Sequence, residues 1–146
     1  ASLLKLKIEN EKLKIQIACA NNSIWIVRNS DAQNKNNSEL KTQNSELIEF
    51  KGDRQPVAIS ARAKPFTLHE LELQKGDTVY LATDGFEDQF GGEKNKKFKV
   101  SHLKKLLIEI ASKSMAEQKT FLEKAFENWK GETEQTDDVI VIGIRV

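Results

Sequence analysis

Cysteine is almost missing from this 146-residue chain, with Cys19 the single example. One thiol excludes an internal disulfide and suits a reducing compartment, so the expected location is cytoplasmic. An excess of charge of one sign is missing too: 23 Lys and Arg stand against 22 Asp and Glu, for a formal net charge of +1. No global field favours nucleic acid or an anionic membrane, and neither is an expected partner; any anion recognition must be local. Histidine is limited to two residues, His69 and His102, with no cysteine or second histidine at ligand spacing, which argues against zinc. No apolar run approaches the roughly 20 residues of a membrane span, and the first residues show no basic-then-apolar secretory pattern. Trp25 and Trp129 lack the interleaved basic and aromatic residues of a base-stacking platform and read as core or interface anchors. The length suits one domain with a real core, and 1–146 reads as a single domain.

What the chain does have is alternation. Leu4, Leu6 and Ile8, then Leu13, Ile15 and Ile17, alternate with polar residues around Glu9-Asn10-Glu11, which predicts a hairpin with one buried face. Ile24 to Arg28 and Glu46 to Phe50 predict two more strands, and the short connections suggest a meander. Residues 29–45 are almost wholly Asn, Ser, Gln, Lys and Glu, and predict a mobile polar loop. The triplets at Asn21-Asn22-Ser23 and Asn36-Asn37-Ser38 arise by chance in such stretches and receive no role. Phe66 to Leu73 and Thr78 to Thr83 predict paired strands about a Lys75-Gly76-Asp77 turn. Ser101 is the expected cap of a helix buried through Leu103, Leu106, Leu107 and Ile110. Ser114 and Glu117 predict a capping box for a second helix, with Leu122, Ala125, Phe126 and Trp129 buried and Gly131 as its stop. Val139 to Val146 predicts a closing strand, apolar on both sides and therefore central. Strands, then two helices, then a returning strand make an α+β layered domain.

Two apolar strands border acidic residues. Val79 to Ala82 runs into Thr83-Asp84-Gly85, and Thr136-Asp137-Asp138 leads into Val139 to Ile142. Each alone is an ordinary turn signal. Together they place carboxylates at two strand ends near a core, where like charges repel unless a cation neutralises them. Hard oxygen donors on rigid elements suit a hard divalent cation.

The stretch Leu73-Gln74-Lys75-Gly76-Asp77-Thr78-Val79-Tyr80-Leu81-Ala82-Thr83-Asp84-Gly85, the two helices and the ending Asp137-Asp138-Val139-Ile140-Val141-Ile142 resemble the C-terminal half of metal-dependent PPM-type serine/threonine phosphatases. The closer similarity is to the bacterial sporulation stage II protein E (SpoIIE) branch, which regulates sigma-factor pathways. Ala20-Asn21-Asn22-Ser23-Ile24-Trp25 resembles that branch's Gly-His-Asn-Pro corner, with asparagine in place of the histidine and serine in place of the proline. The resemblance implies an antiparallel β-sandwich with helices packed on the outside. It implies that Asp84 and Asp137 are ligands of a two-metal manganese or magnesium centre, that Gly85 allows close backbone approach, and that Asp88 serves an additional, weaker ion. Glu87 and Asp138 read as supporting these ligands or as solvated, with Asp138 favoured as a supporting hydrogen-bond acceptor. The implied reaction is hydrolysis of phosphoserine or phosphothreonine on a phosphoprotein by a metal-activated water. The basic run at Lys94, Lys96 and Lys97 reads either as a solvated loop or as a patch that steers the substrate.

The family also uses an acidic residue followed by glycine near the start of its domain, and neither Glu9 nor Glu11 is followed by one. The expectation is that the sequence is the C-terminal portion of such a domain, beginning partway through it and inactive alone. Its uncovered sheet edges would invite a homodimer. The alternatives are a pseudophosphatase that binds a protein partner without turnover, and a plain β-rich structural module.

Overall fold

The computed structural model describes residues 1–29, 45–58 and 64–146. Apart from its two end residues, the expected mobile loop 29–45 lies outside the described residues. The N-terminal alternation forms the predicted hairpin of β1 (Ser2–Glu9) and β2 (Lys12–Cys19), paired from Ser2 with Cys19 to Glu9 with Lys12. Its two turn residues, Asn10 and Glu11, both take positive φ, at 52° and 63°, as the right-handed twist of a two-residue hairpin favours.

Next come β3 (Ile24–Asn29), β4 (Ser45–Phe50), β5 (His69–Glu72) and β6 (Thr78–Ala82). A short α1 (Gly85–Asp88) and a ribbon of β7 (Phe90–Gly91) with β8 (Lys96–Lys97) lead to α2 (Val100–Ile110), α3 (Met115–Lys130) and the closing β9 (Val141–Arg145). Two antiparallel sheets result, ordered β1-β2-β5 and β4-β3-β6-β9. The fold is α+β as expected, with the sheets stacked and α2 and α3 on the outer face of the four-stranded one.

Period-2 alternation in β3 and β6 builds two cores from one sheet. Ile24, Ile26 and Val79 face the space between the sheets, with Ile15, Ile17, Cys19 and Leu73. Trp25, Val27 and Tyr80 face the helices, meeting Phe86, Leu103, Leu107, Ile110, Leu122 and Phe126. Each such fully buried side chain contributes on the order of 1.5–3 kcal/mol of transfer free energy, enough to hold both faces of β3 and β6 rigid. The α3 start follows prediction: the Ser114 hydroxyl accepts from the Glu117 N–H at 3.3 Å, and the Glu117 carboxylate accepts from the Ser114 N–H at 2.9 Å.

Four expectations change. The first four strands are not one meander, because β2 pairs with β5 while β3 pairs with β4 and β6. For the same reason β5 and β6 are not partners; the Lys75-Gly76-Asp77 turn carries the chain from one sheet to the other. Ser101 does not cap α2, which begins at Val100 after Lys99 with φ 74° and no side-chain cap bond. Finally, among the described strands β9 lies at the sheet edge beside β6 alone, leaving Ile142 48% and Ile144 38% exposed.

The turn between the sheets contains a clasp. Asp77 is only 1% exposed. Its carboxylate accepts Arg28 Nη2 at 2.8 Å, Arg28 Nε at 3.1 Å and the Gln74 N–H at 2.9 Å. Arg28 also donates to the Glu72 carbonyl at 3.1 Å, so one guanidinium ties β3 to both ends of the crossing. The forked donors match a carboxylate, and the pairing raises the Arg28 pKa above its ordinary value. Replacing Asp77 by alanine strands a largely covered guanidinium and the Gln74 N–H, and is expected to lower stability by about 3 kcal/mol. Urea unfolding should show a lower midpoint with an unchanged slope; an unchanged midpoint contradicts the clasp.

Candidate metal centre

Register brings three strand ends to one place. Ile24 opposes Leu81, and Val141 opposes Ala82, so the start of β3, the end of β6 and the start of β9 share one end of the four-stranded sheet. Asn21-Asn22-Ser23, Thr83-Asp84-Gly85 and Asp137-Asp138 are therefore delivered to the same end.

Thr83 stitches two of them together. Its hydroxyl donates to the Asp138 carbonyl at 2.8 Å and accepts from the Ile140 N–H at 3.0 Å, while its own N–H donates to the Ile140 carbonyl at 3.0 Å. Gly85 then meets this backbone directly: a Cβ there would lie 2.4 Å from the Asp138 carbonyl oxygen. Asp84 stands at the N-cap position of α1 yet makes no side-chain cap bond, so its exposed carboxylate is not spent on the helix start. Asp137 differs, because its carboxylate accepts the Asp138 N–H at 2.7 Å.

A cavity of about 100 Å³ opens beside Asp84, and Glu87, Thr83, Trp25, Val100 and the Asn21-Asn22-Ser23 corner also line it. Glu87, expected to support the ligands, is thus on the cavity wall itself, whereas Asp88 and Asp137 are not. Burial raises the Glu87 pKa above its ordinary value, the Asp88 and Asp84 carboxylates add to the rise, and Lys104 and Lys97 oppose it. Glu87 therefore has two like charges near it, which a cation would offset. Asp88 pairs with Lys97 at 2.9 Å on a half-exposed surface, which ties that lysine to the acidic group. Lys94 and Lys96 are exposed on the same ribbon.

Behind the cavity, the Glu49 carboxylate accepts Lys104 Nζ at 2.9 Å and Trp25 Nε1 at 3.2 Å, with Lys104 over the Trp25 ring. The remaining sequence candidates sit elsewhere. His69 packs on Phe50, and His102 on Phe98 and Trp129. Cys19 is buried in the inter-sheet core, and burial raises its thiol pKa.

The carboxylates of Asp84, Glu87, Asp88, Asp137 and Asp138 are hard oxygen donors, which fit magnesium or manganese in chemistry. Among the described residues, no three acidic, histidine or cysteine side chains gather to enclose an ion. The sequence showed the acidic residues but not their neighbour: the corner between β2 and β3 lies some 60 positions away, and only its resemblance to the family motif could have pointed to it.

The closeness at Gly85 is testable. Gly85→Ala sets a methyl group against backbone, which has little room to yield, and is expected to cost about 2–3 kcal/mol in denaturant unfolding. A variant as stable as the wild type would show that the Asp84 and Asp138 segments are not pressed together.

Among curated proteins no match is found. Among solved structures, the chain is similar to the SiaA-PP2C domain of Pseudomonas aeruginosa, with TM-score 0.71 and 27% identity over 91% of this chain and 46% of that one. It is also similar in fold to the phosphatase domain of the cell fate determinant SpoIIE from Bacillus subtilis, a manganese-presoaked structure, with TM-score 0.59 and 12% identity over 100% of this chain and 56% of that one. The chain thus spans about half the length of the solved domains it matches. The family model for stage II sporulation protein E matches residues 7–146. With that match covering nearly every residue, and with the fold shared with PP2C-type domains, the chain belongs to the SpoIIE family of PPM-type phosphatases.

Proposed function

We propose that this chain is the C-terminal portion of a metal-dependent phosphatase domain that hydrolyses phosphoserine or phosphothreonine on a cytoplasmic regulatory protein of a sigma-factor or signalling pathway. The observation that carries this reading is the Thr83 clasp, which joins the Asp84 segment to the backbone that follows Asp137. Asp84 and Asp137 would hold manganese or magnesium, with Asp88 available to a weaker ion. Such ions, when bound, act as Lewis acids and lower the pKa of the water that attacks phosphorus. The protein's part is placement. β6, buried on both faces, fixes Asp84; Gly85 keeps side chains out of the junction; and the Trp25–Glu49–Lys104 group stiffens the cavity wall. Lys94 and Lys96 form a local positive patch that steers the phosphoprotein, and the edges of β1 and β9, unpaired among the described strands, offer ladders to a second copy.

The test uses the full-length gene product, because the chain alone is expected to be inactive. A phosphoserine peptide should be hydrolysed only with manganese or magnesium. Asp84→Asn should reduce turnover to background while leaving the thermal midpoint unchanged or raised, since it removes repulsion among Asp84, Glu87 and Asp88. Wild-type protein that binds manganese yet shows no turnover would replace this reading with that of a protein-binding pseudophosphatase.

Steering makes a separate prediction. The Lys94→Glu/Lys96→Glu variant, which spares the Asp88–Lys97 pair, should lower kcat/KM about tenfold at low salt, with the deficit shrinking as salt rises. A salt-independent ratio near one would make the ribbon a plain solvated loop.

A further inference from the structure

The cavity beside Asp84 has a wall that metal binding does not use. The corner between β2 and β3 is firmly built: the Asn21 N–H donates to the Asp53 carbonyl at 2.9 Å, the Asp53 N–H to the Cys19 carbonyl at 2.9 Å, and the Asn22 N–H to the Ala20 carbonyl at 2.8 Å. Gly52 presses on it so closely that a Cβ there would lie 2.7 Å from the Asn21 backbone. The Asp53 carboxylate is itself held by the Thr67 N–H at 2.7 Å and the Thr67 hydroxyl at 2.9 Å.

Two of the three polar side chains of this corner have a local explanation. Asn21 takes φ 65°, a left-handed conformation that asparagine tolerates better than most residues. The Ser23 side chain lies beside the Glu49 carboxylate and helps to lower its pKa. Asn22 has neither reason: its φ is not positive, and among the described residues its side-chain amide has no hydrogen-bond partner. It is half-buried and lines the cavity with Asp84 and Glu87.

The chemistry of the two walls is complementary. Ionised carboxylates only accept hydrogen bonds, whereas a carboxamide brings two N–H donors. The oxygens of a phosphate monoester are acceptors, so Asn22 matches them and the ionised carboxylates do not. The cavity, at about 100 Å³, has room for one tetrahedral oxyanion. We infer that Asn22 is a substrate-contacting residue whose side-chain amide donates to a non-bridging phosphoryl oxygen of the phosphoserine or phosphothreonine substrate. This rests on the phosphatase reading above.

The test again uses the full-length gene product with manganese, reading steady-state hydrolysis of a phosphoserine peptide, manganese affinity by calorimetry and thermal unfolding. Asn22→Ala should lower kcat/KM about 10- to 100-fold, the loss expected for one hydrogen bond to a charged group, with manganese affinity and thermal midpoint as in the wild type. Asn22→Asp, nearly isosteric, replaces the donors with an anion facing the phosphoryl group; it should lose more than Asn22→Ala and raise KM. Should Asn22→Ala unfold, the comparison of Asn22→Asp with wild type carries the same test. The inference is overturned if Asn22→Ala keeps kcat/KM within twofold of wild type, if Asn22→Asp is no worse than a folded Asn22→Ala, or if the loss comes with weakened manganese binding. An active wild type with any of these results overturns only the role of Asn22. A wild type without turnover overturns the phosphatase reading as well.

Discussion

The site hangs on the side chain of Thr83. Its hydroxyl is used twice, donating to one backbone carbonyl and accepting from one backbone N–H of the segment that carries Asp137 and Asp138. Each bond is worth only about 1 kcal/mol net, so the clasp is not a large source of stability. Its importance is geometric. Among the described strands β9 pairs only with β6, and the clasp ties the Asp138 and Ile140 backbone directly to the end of that strand. Binding sites for ions and phosphoryl groups tolerate misplacement of only about 0.5 Å, and β3 and β6, packed on both faces, set that standard at this sheet end.

The rest of the molecule serves that end of β6. Ile24, Ile26 and Val79 lock one face against the three-stranded sheet, and Trp25, Val27 and Tyr80 lock the other against α2 and α3. The Arg28–Asp77 clasp holds the opposite end of β6, where the chain crosses between sheets. The acidic cluster is concentrated at the end with the cavity, and the lysines nearest it, Lys97 and Lys104, are each already paired, with Asp88 and Glu49. At Glu87 burial raises the pKa, the Asp88 and Asp84 carboxylates add to the rise, and Lys104 and Lys97 offset it only in part.

What the sequence made legible was what short-range rules govern. The period-2 runs of β1, β2, β3 and β6, the Ser114–Glu117 capping box and the acidic residues at strand ends are encoded within a few positions of themselves. Partner choice was not. Lys75-Gly76-Asp77 has the composition of a hairpin turn, and nothing within it tells that Asp77 is buried under an arginine 49 positions away. β9 reads as a central strand because both its faces are apolar, yet apolarity alone does not say how many strands flank it. Ser101 looked like a helix cap, but the helix starts one residue earlier, where Lys99 adopts a left-handed φ without offering a cap bond. The corner at Asn21-Asn22-Ser23 had the composition of a chance glycosylation triplet, and only strand register sets it beside Asp84.

The central claim is that the Asp84 and Asp137 segments form one side of a single ion site. The most direct measurement is diffraction from crystals of the full-length gene product soaked in manganese, collected on both sides of the manganese absorption edge. The account predicts an anomalous peak within coordination distance of both carboxylates, with the Asp137 side chain released from the Asp138 N–H. A manganese peak bound elsewhere, with Asp84 and Asp137 facing only solvent, would contradict it.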